Sequence, residues 1–173
     1  MAKRRAPRIL ITGSPGSGKS TLMAKLIEDV DARRIAGMSA PEVRHGRTRA
    51  GFKMIDLASG EEEILASTSG KGPRVSKYHV NVTGVDEIVR KIEVSLGDAQ
   101  FVFIDEIGKM ELFSKRFEDF IDHVFSLDKP LIAVVHRSLL PRYRNRGLIF
   151  ELTRNNFEQV RQTILAKLKP RKA

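Results

Sequence analysis

Apolar positions along this chain follow two periods, and their order sets the expected elements. Ile9, Leu10 and Ile11 make Arg8–Thr12 a short buried strand closed by a glycine-rich turn. Leu22, Met23, Leu26, Ile27 and Val30 then recur at helical spacing. Residues 35–44 read as a strand running into a loop, with Gly37 and Pro41 as breakers. Phe52–Leu57 and Glu63–Ala66 flank Ser59-Gly60 and predict a hairpin. After a loop over 67–77, Tyr78–Val82 returns as a strand. Asp86 is placed to cap a helix carrying Ile88, Val89, Ile92 and Leu96, with Gly97 as its stop. Phe101–Ile104 is a continuous apolar run of the kind a central parallel strand shows. Phe113, Phe117, Phe120, Ile121, Val124 and Phe125 trace a helix stripe, Leu131–Val135 and Leu148–Leu152 two further strands, and Phe157, Val160, Ile164 and Leu168 a closing helix. Strands alternating with helices predict an α/β fold with a mostly parallel central sheet and an added antiparallel hairpin.

Composition narrows the class. With 173 residues, 41% hydrophobic and 30% charged, residues 1–173 read as a single domain. No apolar run approaches the ~18 residues of a membrane span. The three apolar residues after the basic start fall short of a secretory signal. The absence of cysteine excludes disulfides, zinc–thiolate sites and thiol catalysis, and the expected compartment is the cytoplasm. Most of the +10 charge sits in short basic tails at 1–8 (Lys3, Arg4, Arg5, Arg8) and 165–173 (Lys167, Lys169, Arg171, Lys172). RNA or DNA is therefore a candidate partner, against the plain alternative of solvated ends. A monomer is the favoured state.

The strongest chemistry lies in Gly13-Ser14-Pro15-Gly16-Ser17-Gly18-Lys19-Ser20, a full match to G-x-x-x-x-G-K-[ST] between an apolar strand and an amphipathic helix. Successive backbone N–H groups curl around a β-phosphate there, and the helix N-terminus, entered through Thr21, favours anions. Lys19 would set an ammonium between the β- and γ-phosphates, and Ser20 would ligate Mg²⁺. The strand Phe101–Ile104 ends in Asp105-Glu106. In P-loop proteins such a strand lies beside the first, so Asp105 would hold Mg²⁺ and Glu106 would orient and deprotonate water. No N-K-x-D element follows, so base preference is open.

The string Asp105-Glu106-Ile107-Gly108-Lys109-Met110-Glu111-Leu112 resembles the hallmark of the small nucleoside-triphosphatase family of thermophilic archaea and bacteria, whose animal member is the cancer-related nucleoside triphosphatase. Gly37, Glu42-Val43-Arg44, Gly46, Arg49, Gly51-Phe52, Arg74-Val75 and Lys77-Tyr78 agree in order, so the resemblance spans roughly residues 8–168. Two positions depart: Ala40 stands where threonine is expected, and Ser76 where glycine is expected. The resemblance implies a three-layer, RecA-like P-loop NTPase that slowly hydrolyses ATP, GTP and other nucleoside triphosphates with broad base tolerance.

Other candidates follow by position. Arg44, with Arg47 and Arg49 nearby, could act as an arginine finger in cis, or could simply pair with Glu42. His136 ends the strand Leu131–Val135, at the edge where α/β sheets bind ligands. Lys109 could reach the γ-phosphate, and Arg142, Arg144 and Arg146 could form a lid or stay solvated. Three functions stay open: an Mg²⁺-dependent triphosphatase, a kinase of a nucleotide, nucleoside or polynucleotide end, and a nucleic-acid-binding ATPase module.

Overall fold

The computed structural model describes residues 3–169. Ten strands and five helices follow in the order β1 (Arg8–Thr12), α1 (Lys19–Val30), β2 (Ile35–Ser39), β3 (Glu42–His45), β4 (Thr48–Asp56), β5 (Glu62–Ser67), β6 (Arg74–Val75), β7 (Tyr78–Val80), α2 (Val82–Leu96), β8 (Phe101–Ile107), α3 (Lys115–Ser126), β9 (Leu131–Val135), α4 (Leu140–Tyr143), β10 (Leu148–Glu151) and α5 (Phe157–Leu168). One sheet runs β10-β1-β9-β8-β2-β4-β5-β7-β6, with β3 paired to β4. The first five strands of that path are parallel. The antiparallel part is larger than one hairpin, since β3, β6 and β7 join β4 and β5.

Helices cover both faces, which makes three layers. The two-residue period of the strands divides the core. Leu10, Val102 and Ile104 pack with Ile88, Ile92, Phe117 and Ile121 of α2 and α3. Ile9, Ile11 and Phe103 pack with Leu22, Leu26, Val160 and Ile164 of α1 and α5. Cations fix the far ends of two helices through their free carbonyls. Lys129 Nζ donates to the carbonyls of Leu96, Gly97 and Ala99 beyond α2. Arg8 donates to those of Phe125 and Leu127 beyond α3. Among the described residues no helix is long and apolar enough to cross a membrane.

Several expectations shift. The acid-bearing strand β8 does not lie beside β1, because β9 runs between them and pairs with both. Helix α2 starts earlier than Asp86: Asn81 caps it by accepting from the Gly84 N–H, so Val82 is helical rather than strand. Asp86 instead accepts from the Ser114 hydroxyl, which in turn caps α3 by accepting from the Phe117 N–H. Phe113 sits in a short turn ahead of α3, 46% exposed, and drops out of the helix stripe. Of the basic ends, Arg8 is strand and Lys167 helix, while Arg171 and Lys172 lie outside the described residues. Ser76, the position expected to be glycine, has φ 54°, in the left-handed region that glycine enters freely.

Candidate active site

The glycine-rich segment joins β1 to α1 at the carboxyl edge of the parallel strands. Gly18 precedes α1 with φ 99°, a conformation a Cβ would strain. Gly13 packs so closely that a Cβ would lie 2.6 Å from the Leu152 carbonyl oxygen. Helix α1 differs from α2 and α3 at its start. Those two are capped by Asn81 and Ser114, whereas α1 has neither a capping side chain nor an acid in its first turn. Its free N–H groups and positive dipole end are thus left for an anion. Lys19 Nζ donates to the carbonyls of Gly13 (2.8 Å) and Ser14 (3.0 Å), folding the ammonium back over the loop. Ser14, Pro15, Gly16, Ser20 and Thr21 are exposed, and Ser17 is buried with a hydroxyl that has no protein partner.

The acids stand two strands away. Pairing of β8 with β9 shifts register between Asp105 and Ile107, a bulge at Glu106, where the Asp105–Glu106 peptide is cis. Burial raises the proton affinity of Asp105, opposed by the Ser20 hydroxyl and the Lys19 charge. Burial, reinforced by the charge of Asp105, pushes Glu106 up to about 7, with Lys19 acting the other way. Sequence reasoning passed over Glu111. This side chain is 3% exposed, and burial followed by the charge of Glu106 pushes it up to about 8. Its signal was available: an acid between Met110 and Leu112, in the turn that follows the acid-bearing strand.

Asp105, Glu106 and Glu111 line a cavity of about 550 Å³ together with Ser20, Lys109 and His136. His136 Nδ1 accepts from the Ser138 N–H, so the neutral ring carries its proton on Nε2. Burial, then the charges of Lys109 and Arg137, lower its proton affinity and favour that neutral form. Arg44 is held differently. It lies on β3, 52% exposed, with Nε 3.0 Å from Glu42 and a second bond to the Arg47 carbonyl. Arg49 also binds Glu42, as well as the Tyr78 hydroxyl. Arg142 and Arg146 pair with Glu118 and Asp122 of α3, which ties them to the body of the protein.

On the other flank of the loop, Arg154 and Phe157 approach the glycines. A Cβ on Gly16 would lie 3.8 Å from the Arg154 guanidinium, and one on Gly18 3.6 Å from the Phe157 ring. The arrangement pairs an anion-binding helix start and a lysine with buried carboxylates across one edge of the sheet. Chemically, such a set of groups can receive a polyphosphate and a hard cation.

Comparison with known proteins agrees. Residues 8–165 match the family described as NTPase. The chain is 39% identical to the nucleoside-triphosphatase THEP1 of Methanocaldococcus jannaschii, over 94% of this chain and 99% of that one. Its fold is similar to the crystal structure of THEP1 from Aquifex aeolicus, with TM-score 0.82 and 32% identity over 94% of this chain and 99% of that one. It is also similar to the solution structure of a human cancer-related nucleoside triphosphatase, with TM-score 0.77 and 29% identity over 96% and 100%. The chain belongs to the NTPase family.

Proposed function

We propose, with membership of the NTPase family as the premise, that the protein is a magnesium-dependent nucleoside triphosphatase of the cytoplasm. It cleaves the γ-phosphate from several triphosphates, ATP and GTP among them. One observation carries the reading: Ser20, Asp105 and Glu106 line one cavity, with the Lys19 charge near enough to act on both acids.

The loop from Gly13 to Gly18, with the first turn of α1, binds the β- and γ-phosphates through backbone N–H groups, and Lys19 swings from its carbonyl partners onto them. Ser20 and Asp105 fit a magnesium ion as oxygen ligands. Magnesium ordinarily takes one or two protein oxygens and fills its remaining positions with phosphate and water, so these two residues would suffice to hold it. When bound, the ion draws negative charge from the phosphoryl oxygens. Glu106, at about 7, is partly ionised at neutral pH, which suits it to orient a water and accept its proton. The loop N–H groups and Lys19 hold the charge that develops on the bridging oxygen. Contacts directed at phosphate rather than base account for broad tolerance. Any contact with RNA or DNA would fall to Lys3, Arg4 and Arg5 at one end and to Lys167, Lys169, Arg171 and Lys172 at the other, since Arg8 is committed to the carbonyls of Phe125 and Leu127.

The test is phosphate release from ATP, GTP, CTP and UTP, with magnesium and with chelator, for wild type, Lys19→Ala and Glu106→Gln. Turnover of several triphosphates that needs the metal and is lost in both variants is the expected result. Full activity in Glu106→Gln would remove the assigned base.

A further inference from the structure

The cavity beside the acids extends past the groups assigned to the metal ion, the γ-phosphate and the attacking water. It encloses about 550 Å³, whereas a water molecule takes ~30 Å³. Small-molecule pockets fall at roughly 300–1,000 Å³ and pair apolar walls with a few convergent polar groups. This cavity has that division. Ser20, Asp105, Glu106 and His136 are among its polar groups, with Glu42, Lys109 and Glu111, and Phe52, Leu65, Val75 and Met110 supply apolar wall. Three of those four come from β4, β5 and β6, strands that contribute nothing to the phosphate loop.

The nucleotide has another flank to use. The loop glycines abut Arg154 and Phe157 on the β10–α5 side. In the strand order, β10 lies at one edge, while β4, β5 and β6 lie beyond β2 on the other side of β1. A triphosphate running along the loop with its γ-phosphate toward Asp105 thus leaves the cavity open ahead of it.

We propose that this cavity is an acceptor subsite, taking an uncharged, nucleoside-sized alcohol to which the protein transfers the γ-phosphoryl group in competition with water. The inference rests on the triphosphate-binding reading above. An anionic acceptor fits poorly, because Asp105 and Glu106 share the lining and Lys109 is the one lysine or arginine among the lining residues described. The acceptor hydroxyl oxygen bonds to the γ-phosphorus, and its proton passes to the Glu106 carboxylate. The bond from the γ-phosphorus to the bridging oxygen breaks, and its electron pair leaves on the nucleoside diphosphate. The products are a phosphomonoester, the diphosphate and a proton released to solvent.

The experiment incubates the full chain with γ-labelled ATP and magnesium, alone and with saturating adenosine, cytidine, uridine, thymidine or pyridoxine. Label is followed into free phosphate and into phosphomonoester. Ester on at least one probe is expected, and V75W, which fills the cavity from a half-exposed edge strand, should lower the ester-to-phosphate ratio by about tenfold or more. Val75→Met, a smaller intrusion, carries the comparison if V75W does not fold. Free phosphate with no ester on any probe overturns the acceptor subsite and leaves the triphosphatase standing. Ester formed at an unchanged ratio by the Val75 variant overturns the assignment to this cavity. Neither product overturns the triphosphate reading on which the subsite rests.

Discussion

The two sides of the site are prepared in opposite ways. The phosphate loop is an excess of donors built from local chain geometry, where even the Lys19 ammonium is parked on the loop's own carbonyls. The facing wall is an excess of acceptors assembled from β8 and the turn after it. Burial, together with mutual repulsion at Glu106 and Glu111, raises the proton affinity of its three carboxyls. Neither side is balanced alone. On the proposed reading, a triphosphate would supply the charge the loop lacks, and a metal ion the charge the wall lacks. Binding and catalysis should therefore respond differently when each side is cut.

The largest effect is expected from the donor side. Lys19→Ala removes a full charge from the transferring group, and turnover should fall by roughly 10³, measured as phosphate release at saturating nucleotide. Glu106→Gln should lower kcat by about 10² while leaving affinity for a fluorescent triphosphate analogue nearly unchanged, since the amide keeps the shape and loses only the base. Equal losses of affinity in both variants would break the division between the two sides.

Glu111 sharpens the comparison through stability instead of rate. Its folded-state proton affinity is raised from 4.5 to about 8, so the folded protein binds that proton more tightly than the unfolded chain. The contribution is complete below the unfolded value, is lost as pH rises through the window up to about 8, and is flat above it. Glu106 shifts in the same direction and adds to the slope. Glu111→Gln should therefore melt at a higher temperature than wild type at pH 9, with the gap shrinking toward pH 5, in metal-free buffer. Parallel melting curves at both pH values would show that Glu111 is not held as the acid.

Legibility in the sequence follows the same divide. The loop was readable because strand, glycines, lysine and helix are consecutive, and every determinant lies between Arg8 and Val30. Asp105 and Glu106 were readable as a strand end, but not the strand that separates them from β1, because pairing order is set by the whole sheet. Asp86 resembles a helix cap in the sequence, but a capping side chain is recognisable only once the first helical turn is known, and that turn starts at Val82. Glu111 gave only the weak signal of an acid among apolar neighbours, and its burial depends on the turn that returns it toward Glu106. Ser76 was readable as a departure, and its φ of 54° gives the reason glycine was expected. Ser76→Gly should raise stability by up to about 1 kcal/mol, the left-handed strain relieved less the entropy glycine adds to the unfolded chain, read from denaturant melts.

Arg44 separates the two sides from everything near them, and the smallest effect is expected there. As a finger it would reach the transferring phosphoryl group, and its loss would cost 10³–10⁵ in turnover by the usual scale for such residues, roughly. Its guanidinium is instead engaged with Glu42 and the Arg47 carbonyl on a strand open to water. An exposed pair of this kind contributes a few tenths of a kcal/mol, roughly, and is screened by salt. Arg44→Ala should thus keep phosphate release within about threefold of wild type, an effect too small for a group that touches the transition state. A thousandfold fall would mean that Arg44 leaves Glu42 when nucleotide binds. The wall would then gain a positive charge of its own, and the contrast between donor side and acceptor side would hold only for the empty protein.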